Sequence, residues 1–166
     1  MKKLLILLSV LLIIIDQGIK YIVISNLNVL DSVNIIPNFL NITYVTNSGG
    51  AFSILSGSRY FFIILGIIAI IYLIKYIMSD SNITKVDLIA YSLVISGIIG
   101  NLIDRIIYGY VIDYIHFYIS SYSFAIFNFA DMCIVIGAII IYILFIKGDS
   151  YENNNSRKWF MWYKNW

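Results

Sequence analysis

Charge is scarce in this chain. Of its 166 residues only 12% are Asp, Glu, Lys or Arg, while 61% are hydrophobic; a soluble globular domain carries about a quarter of charged residues. Eleven basic and nine acidic side chains cannot keep so much Ile, Leu, Tyr and Phe in water, so most of the surface must face lipid. The same composition excludes intrinsic disorder, which needs low hydrophobicity. A net charge of +2 is too small for a nucleic-acid footprint. Cysteine is nearly absent: Cys133 alone excludes an intramolecular disulfide and a cysteine-based zinc site. Histidine is as rare, and His116 alone argues against a histidine metal centre or a Ser-His-Asp triad. We expect this lone loop histidine to be solvated, and we expect no metal and no cofactor.

What is abundant is long apolar sequence. Four stretches stand out, at residues 4–24, 60–78, 88–107 and 127–146. Each reaches the roughly 20 residues that a helix needs to cross about 30 Å of hydrocarbon. Backbone polar groups in lipid must satisfy themselves, and four such segments cannot close a barrel. The expected fold class is therefore an all-α integral membrane protein of a single domain over 1–166, with four transmembrane helices. The start, Met1-Lys2-Lys3 before Leu and Ile, looks like a signal peptide, but no small-x-small cleavage site follows. We expect it to remain as the first helix.

Lys2, Lys3, Lys75, Lys85, Lys147, Arg157, Lys158 and Lys164 fall on one side of four spans, with Lys20, Arg59 and Arg105 towards the other. This bias places both termini in the cytoplasm. The Asn-Ile-Thr sequons at Asn41 and Asn82 would then lie on opposite sides, so we read them as chance matches. Residues 25–59 hold short strand-like runs, Val33 to Ile36 and Phe39 to Val45, between Asn, Pro37 and Gly. They predict a small β-rich extracytoplasmic insert. Residues 108–126, rich in Tyr, Ile and Ser, are expected to lie along the bilayer surface. The tail, 147–166, with Trp159, Trp162 and Trp166 among basic residues, reads as an interfacial anchor.

Ionisable groups inside a span cost about 2.5–3.5 kcal/mol at its centre, so each needs a reason. Asp16 and Lys20 can pair across one helical turn. Gly97, Asn101 and Asp104 share one stripe of the third helix, flanked by Gly100 and Arg105, and the glycines permit close helix approach. Asn128 and Asp131 begin the fourth helix. The alternating helix directions bring Asp16, Asn101, Asp104, Arg105, Asp113, Asn128 and Asp131 to one depth near the outer face. For Asp16, Lys20 and Asp104 two readings stand side by side: ion pairs that hold helices together, or parts of a site. Asp113 and Asp131 lack a basic partner at i±3 or i±4. Two carboxylates forced together share a proton, as in aspartic proteases, although from the residues alone this pairing is one of several.

In order, the motifs are D-Q-x-x-K at Asp16 to Lys20, N-x-G-x-A-F at Asn47 to Phe52, G-x-x-G-N-x-x-D-R at Gly97 to Arg105, V-x-D-Y at Val111 to Tyr114, and F-N-x-A-D at Phe127 to Asp131. This order and four-helix plan resemble the bacterial lipoprotein signal peptidase (type II signal peptidase) family, from about Leu4 to Ile146. The resemblance implies an aspartyl endopeptidase at the outer face of the bacterial cytoplasmic membrane. It would cut signal peptides from diacylglyceryl-modified prolipoproteins before the lipidated Cys. It implies Asp113 and Asp131 as the catalytic pair, with Asp16, Lys20, Asn47, Gly49, Asn101, Asp104, Arg105 and Asn128 binding substrate or supporting the site. It further implies membrane lipid as partner, a monomer, and sensitivity to the family inhibitor globomycin. Ile112 and Tyr114 stand where Val and Phe are commoner in the family. A transporter would place its polar residues near the midplane, often on broken helices, a scaffold would not need unpaired Asp113 and Asp131, and the chain has no G-x-G-D for that other class of intramembrane protease.

Overall fold

A computed structural model describes residues 2–50, 54–80, 82–119 and 122–151. Four helices dominate it: α1 (Lys2–Asn26), α2 (Arg59–Ser79), α3 (Lys85–Ile107) and α4 (Phe129–Tyr151). All four are long and apolar enough to cross a membrane. They extend the expected spans by a turn or less at most ends, for local reasons. Thr84 and Asp87 form a reciprocal capping box that starts α3 at Lys85. At the other end of the bundle α4 begins two residues later than expected, because Phe127 is drawn into a β-bridge with Ile115. The interfacial role expected of the tail lies largely outside the described residues, as do Ala51 and Phe52 of the Asn47 motif.

Helix α3 is the centre. In its most apolar window 61% of residues are buried inside the protein, against 6% for α2 and 17% for α4, and it packs against α1, α2 and α4. Its small residues make this possible. A Cβ at Gly97 would collide with the carbonyl oxygen of Ala130 on α4, and one at Gly100 would lie 2.5 Å from Asp16 Oδ2 on α1. Close backbone approach of this kind is how helices associate in lipid, where apolar burial gives little drive. Leu88, Tyr91 and Ile95 of α3 join Ile77 of α2 in the inner core.

The all-α expectation gives way to four helices plus one sheet. Strands β1 (Ser32–Ile36), β2 (Leu40–Asn47), β3 (Val111–Ile119) and β4 (Tyr122–Ser123) pair antiparallel in that order. The segment expected to lie along the bilayer surface instead supplies β3 and β4. Its Val, Ile and Tyr suit a pleated surface, and β2 would otherwise present an unpaired edge. Ile42, Ile112, Tyr114 and Tyr44 pack on Val23 near the end of α1, which seats the sheet on the bundle. His116 is not solvated. It is buried on β3, with Nδ1 3.1 Å from Thr43 Oγ1 and Nε2 2.7 Å from Ser123 Oγ, and burial draws its pKa down.

Gly97→Ala and Gly100→Ala should each destabilise the protein by about 1–3 kcal/mol, the usual cost of overpacking. Thermal unfolding in detergent micelles measures this; unchanged melting would mean the helix contacts are loose.

Candidate active site

The site is built where α3, β3 and the start of α4 meet. In β3, the register Val45↔Asp113 and Asn47↔Val111 follows an irregularity between Ile42 and Val45. It leaves Asn47 Nδ2 3.0 Å from Asp113 Oδ2. The other carboxylate oxygen of Asp113 accepts from Asn128 Nδ2 at 2.7 Å. Asp131 stands at the third position of α4, with Asn128 as its cap. Asn128 Oδ1 accepts the Asp131 N–H at 2.9 Å, and Asp131 Oδ2 accepts the Asn128 N–H at 3.2 Å, a reciprocal capping box. Asp131 Oδ1 accepts from Asn101 Nδ2 at 2.8 Å. Asn128 therefore reaches both acids, the Asp113 carboxylate through its side-chain amide and the Asp131 carboxylate through its backbone N–H. No ion pair reaches either of them among the described residues.

Behind this pair lies a second acidic group with the opposite chemistry. Lys20 Nζ is 2.9 Å from Asp16 Oδ2 and 2.7 Å from Asp104 Oδ2, all three side chains being buried. It also donates to Asn101 Oδ1 at 3.3 Å. Asp16 Oδ1 accepts the N–H of Ala130, and Asp104 Oδ2 accepts the N–H of Ile112, the residue before Asp113. The base paired with Asp104 is thus Lys20 and not its neighbour Arg105. Arg105 turns the other way: Nη2 donates to Gly49 O at 2.8 Å and Nη1 to Asn101 O at 3.3 Å. Its guanidinium lies 5.0 Å from the Phe62 ring centre, a cation–π contact. Gly49 in turn donates its N–H to Asn47 Oδ1.

A cavity of about 780 Å³ opens beside the pair, between α2, α3 and α4. Asn47, Asn101, Arg105, Asp113 and Asp131 line one end, and Leu65, Ala69, Ile98 and Val135 are among those lining the rest. From Phe62 to Ala69, seven steps along α2 at 1.5 Å each, this apolar trough runs roughly 10 Å. Asp16, Lys20, Asp104 and Asn128 stay behind its wall.

Of the expected residues, Asp113, Asp131, Asn47, Asn101, Arg105 and Asn128 come together directly, with Gly49 beside them and the Asp16–Lys20–Asp104 triad supporting them. Sequence reasoning assigned no role to Gln17. Its Nε2 donates to Asp16 Oδ2, Asp104 Oδ1 and Gly100 O. Its signal was a lone amide in an apolar run, but adjacency to Asp16 puts it off the Asp16–Lys20 stripe. Phe62 had no signal, because nothing in an apolar helix marks the one ring that a distant guanidinium will cover.

A family profile described as signal peptidase (SPase) II matches residues 8–147. The chain belongs to the signal peptidase II family. The lipoprotein signal peptidase of Staphylococcus aureus is 41% identical over 153 residues, which span 92% of this chain and 94% of that protein. Two solved structures of bacterial membrane enzymes share its fold. One has a TM-score of 0.86 at 40% identity, covering 94% of this chain and 95% of its own. The other has a TM-score of 0.79 at 41% identity, covering 87% and 94%. As a signal peptidase II family member the chain is a protease with membrane-spanning helices, and the trough and its polar end are the features a peptidase needs.

Burial and the neighbouring charge of Asp131 raise the Asp113 carboxyl to about 7, against the amide donors of Asn47 and Asn128, which pull the other way. The folded protein thus holds this proton more tightly than the unfolded chain does. The resulting stability is complete below the ordinary carboxyl range near 4 and is lost as pH rises through about 7. Asp113→Asn should therefore gain melting temperature relative to the parent when pH is raised from 4 to 8 in detergent. A constant difference between the two would mean that Asp113 titrates normally.

Proposed function

We propose that this chain is an aspartyl endopeptidase that removes signal peptides from diacylglyceryl-modified prolipoproteins, cutting before the lipidated Cys. The observation that carries the reading is the pair itself: Asp113 and Asp131 come from separate elements, have no ion-pair partner among the described residues, both hydrogen-bond to Asn128, and line the polar end of an apolar trough. The name of the Staphylococcus aureus relative supports the substrate class. An apolar trough suits a signal-peptide helix and lipid chains, which enter from the bilayer without leaving an apolar environment.

The two acids divide the chemistry. Asp131 stands in the first turn of α4, at the positive end of the helix dipole. It takes a proton from water as the oxygen attacks the scissile carbonyl. Asp113, whose buried carboxyl keeps its proton to about pH 7, donates to the carbonyl oxygen and then supports collapse of the tetrahedral intermediate. As the C–N bond breaks, Asp113 takes its proton back from the former carbonyl oxygen, Asp131 gives the water-derived proton to the leaving amine, and a new carboxylic acid and amine depart. Asn47, Asn101 and Asn128 hold the carboxylates at fixed angles. Arg105, with Gly49, holds the loop after β2 against the site, and its remaining donors face a substrate carbonyl. The chain acts as a monomer in the bacterial cytoplasmic membrane without a cofactor, and it is sensitive to the family inhibitor globomycin.

The orientation proposed from Lys and Arg puts both termini in the cytoplasm and the pair at the outer face. On a Cys133→Ser background, a membrane-impermeant thiol reagent applied to whole cells should label Asn38→Cys and spare Asn82→Cys. The reverse pattern would overturn the orientation.

Asp113→Asn and Asp131→Asn should each abolish cleavage of a diacylglyceryl-modified lipobox peptide in detergent while leaving the protein folded and able to bind it. General acid–base groups contribute about 10²–10⁴-fold each, and groups acting as a unit lose nearly everything when one is removed. The double variant should be hardly worse than either single one, and Asp80→Asn, outside the site, should be silent. More than about a tenth of parent turnover in either single variant, well above that range, would overturn the aspartyl mechanism.

A further inference from the structure

The trough beside the acids has a floor. Its deepest lining residues are Ala69 on α2, Ile98 on α3 and Ile136 on α4. At 1.5 Å per residue they stand roughly 8–10 Å below Phe62, Arg105 and Asp131 on the same helices. One turn beyond Ala69, Leu73 packs on Ile77, Tyr91 and Ile95 and closes the space. Helices α2 and α4 both pack on α3 and leave the trough between them. Its rim residues Leu65, Val135 and Ile136 are exposed on the surface that lipid covers, so a chain can enter sideways. The sequence of α2 makes the depth. From Arg59 to Ser79 only Gly66, Ala69 and Ser79 are smaller than leucine, and Gly66 and Ala69 both line the trough. At Gly66 the space is used by Leu102, whose side chain lies 3.0 Å from where a Cβ would stand. At Ala69 it is left to the cavity.

We propose that the deep end of the trough holds an acyl chain of the substrate's diacylglyceryl group, and that Ala69 sets how long a chain it accepts. This rests on the reading of the protein as a peptidase of diacylglyceryl-modified prolipoproteins. The choice of an acyl chain over the signal peptide follows from the lining. Beyond Asn47, Asn101, Arg105, Asp113 and Asp131 every lining residue is apolar or glycine. A bond that water and two acids can reach must stand clear of a helix, so the residues beside it are extended. At about 3.3 Å per residue, three extended residues would fill the descent from the acids to Ala69. Their N–H and C=O groups would find no side-chain partner on those walls, which is costly away from water. An acyl chain brings no such groups. It leaves the bilayer for a wall of the same polarity, so shape and not apolarity decides which chain fits.

The test compares the parent with Ala69→Phe, which fills the deep end, in detergent. One lipobox peptide is supplied with either a dipalmitoylglyceryl or a dihexanoylglyceryl group, and kcat/KM is measured for both. The expected result is that Ala69→Phe lowers the long-to-short ratio of kcat/KM by about tenfold or more, the size of discrimination that a fitted apolar pocket makes over a methylene. Ala69→Leu should move the ratio the same way by less, and it carries the test if the Phe variant does not fold. Because each ratio is taken on one preparation, a lower folded fraction cannot imitate the effect. A ratio equal to the parent's in the folded variants would overturn the proposal. So would a ratio that stays constant while the variants change the preference between a small and a large residue upstream of the cut, since the signal peptide would then fill the deep end. If the parent cleaves neither lipidated peptide, the reading of the function fails, and this proposal with it.

Discussion

Helix α4 starts inside the protein, and its first N–H groups have no helical partner. In an apolar setting each such group costs several kcal/mol if left alone. Here the N–H of Phe129 meets Tyr114, that of Ala130 meets Asp16, and that of Asp131 meets Asn128. Three acceptors thus come from β3, from α1 and from the cap of α4 itself. This requirement fixes the end of the molecule that carries the sheet. Satisfying it brings α1 and β3 to the same point, beside the cavity that Asp113 and Asp131 both line.

The molecule holds two sets of acids at similar depth and treats them oppositely. Asp16 and Asp104 share Lys20 and Gln17 and are spent on structure, tying α1 to α3, to α4 and to the backbone of Ile112. Such a buried triad contributes more to a unique arrangement than to net stability, because desolvation offsets much of the attraction. Among the described residues Asp113 and Asp131 accept only from neutral amides of Asn47, Asn101 and Asn128 and have no ion-pair partner, and burial raises the Asp113 carboxyl. Asn101 links the sets: its oxygen takes Lys20 and Asn128, and its amide holds Asp131.

Much of this was legible in the chain, for physical reasons. Long apolar runs can only be spans, and acids in apolar runs need partners, so the residues at Asp16, Asn101, Asp104, Asn128 and Asp131 stood out. The sheet was half legible: Val33 to Ile36 and Phe39 to Val45 read as strands, whereas Tyr-rich β3 has the same composition as an interfacial segment. His116 was misread because its three hydroxyl neighbours, Thr43 on β2, Ser123 on β4 and Tyr118 on its own strand, are brought together by a pairing that no local pattern shows. Gln17 and Phe62 were silent because their roles depend on a second helix.

The amino-acid sequence by itself determined the number of spans, the polar residues that could not face lipid, and the order of the motifs, since hydropathy and helical period are local properties. Only the tertiary structure decided which acid met which partner. Asp104 is one residue from Arg105 and yet pairs with Lys20, because α3 turns those two side chains to different faces and the glycines at 97 and 100 let α1 and α4 close on it. Charge pairing in a membrane protein is set by which helices can approach, and that depends on contacts far apart in the chain.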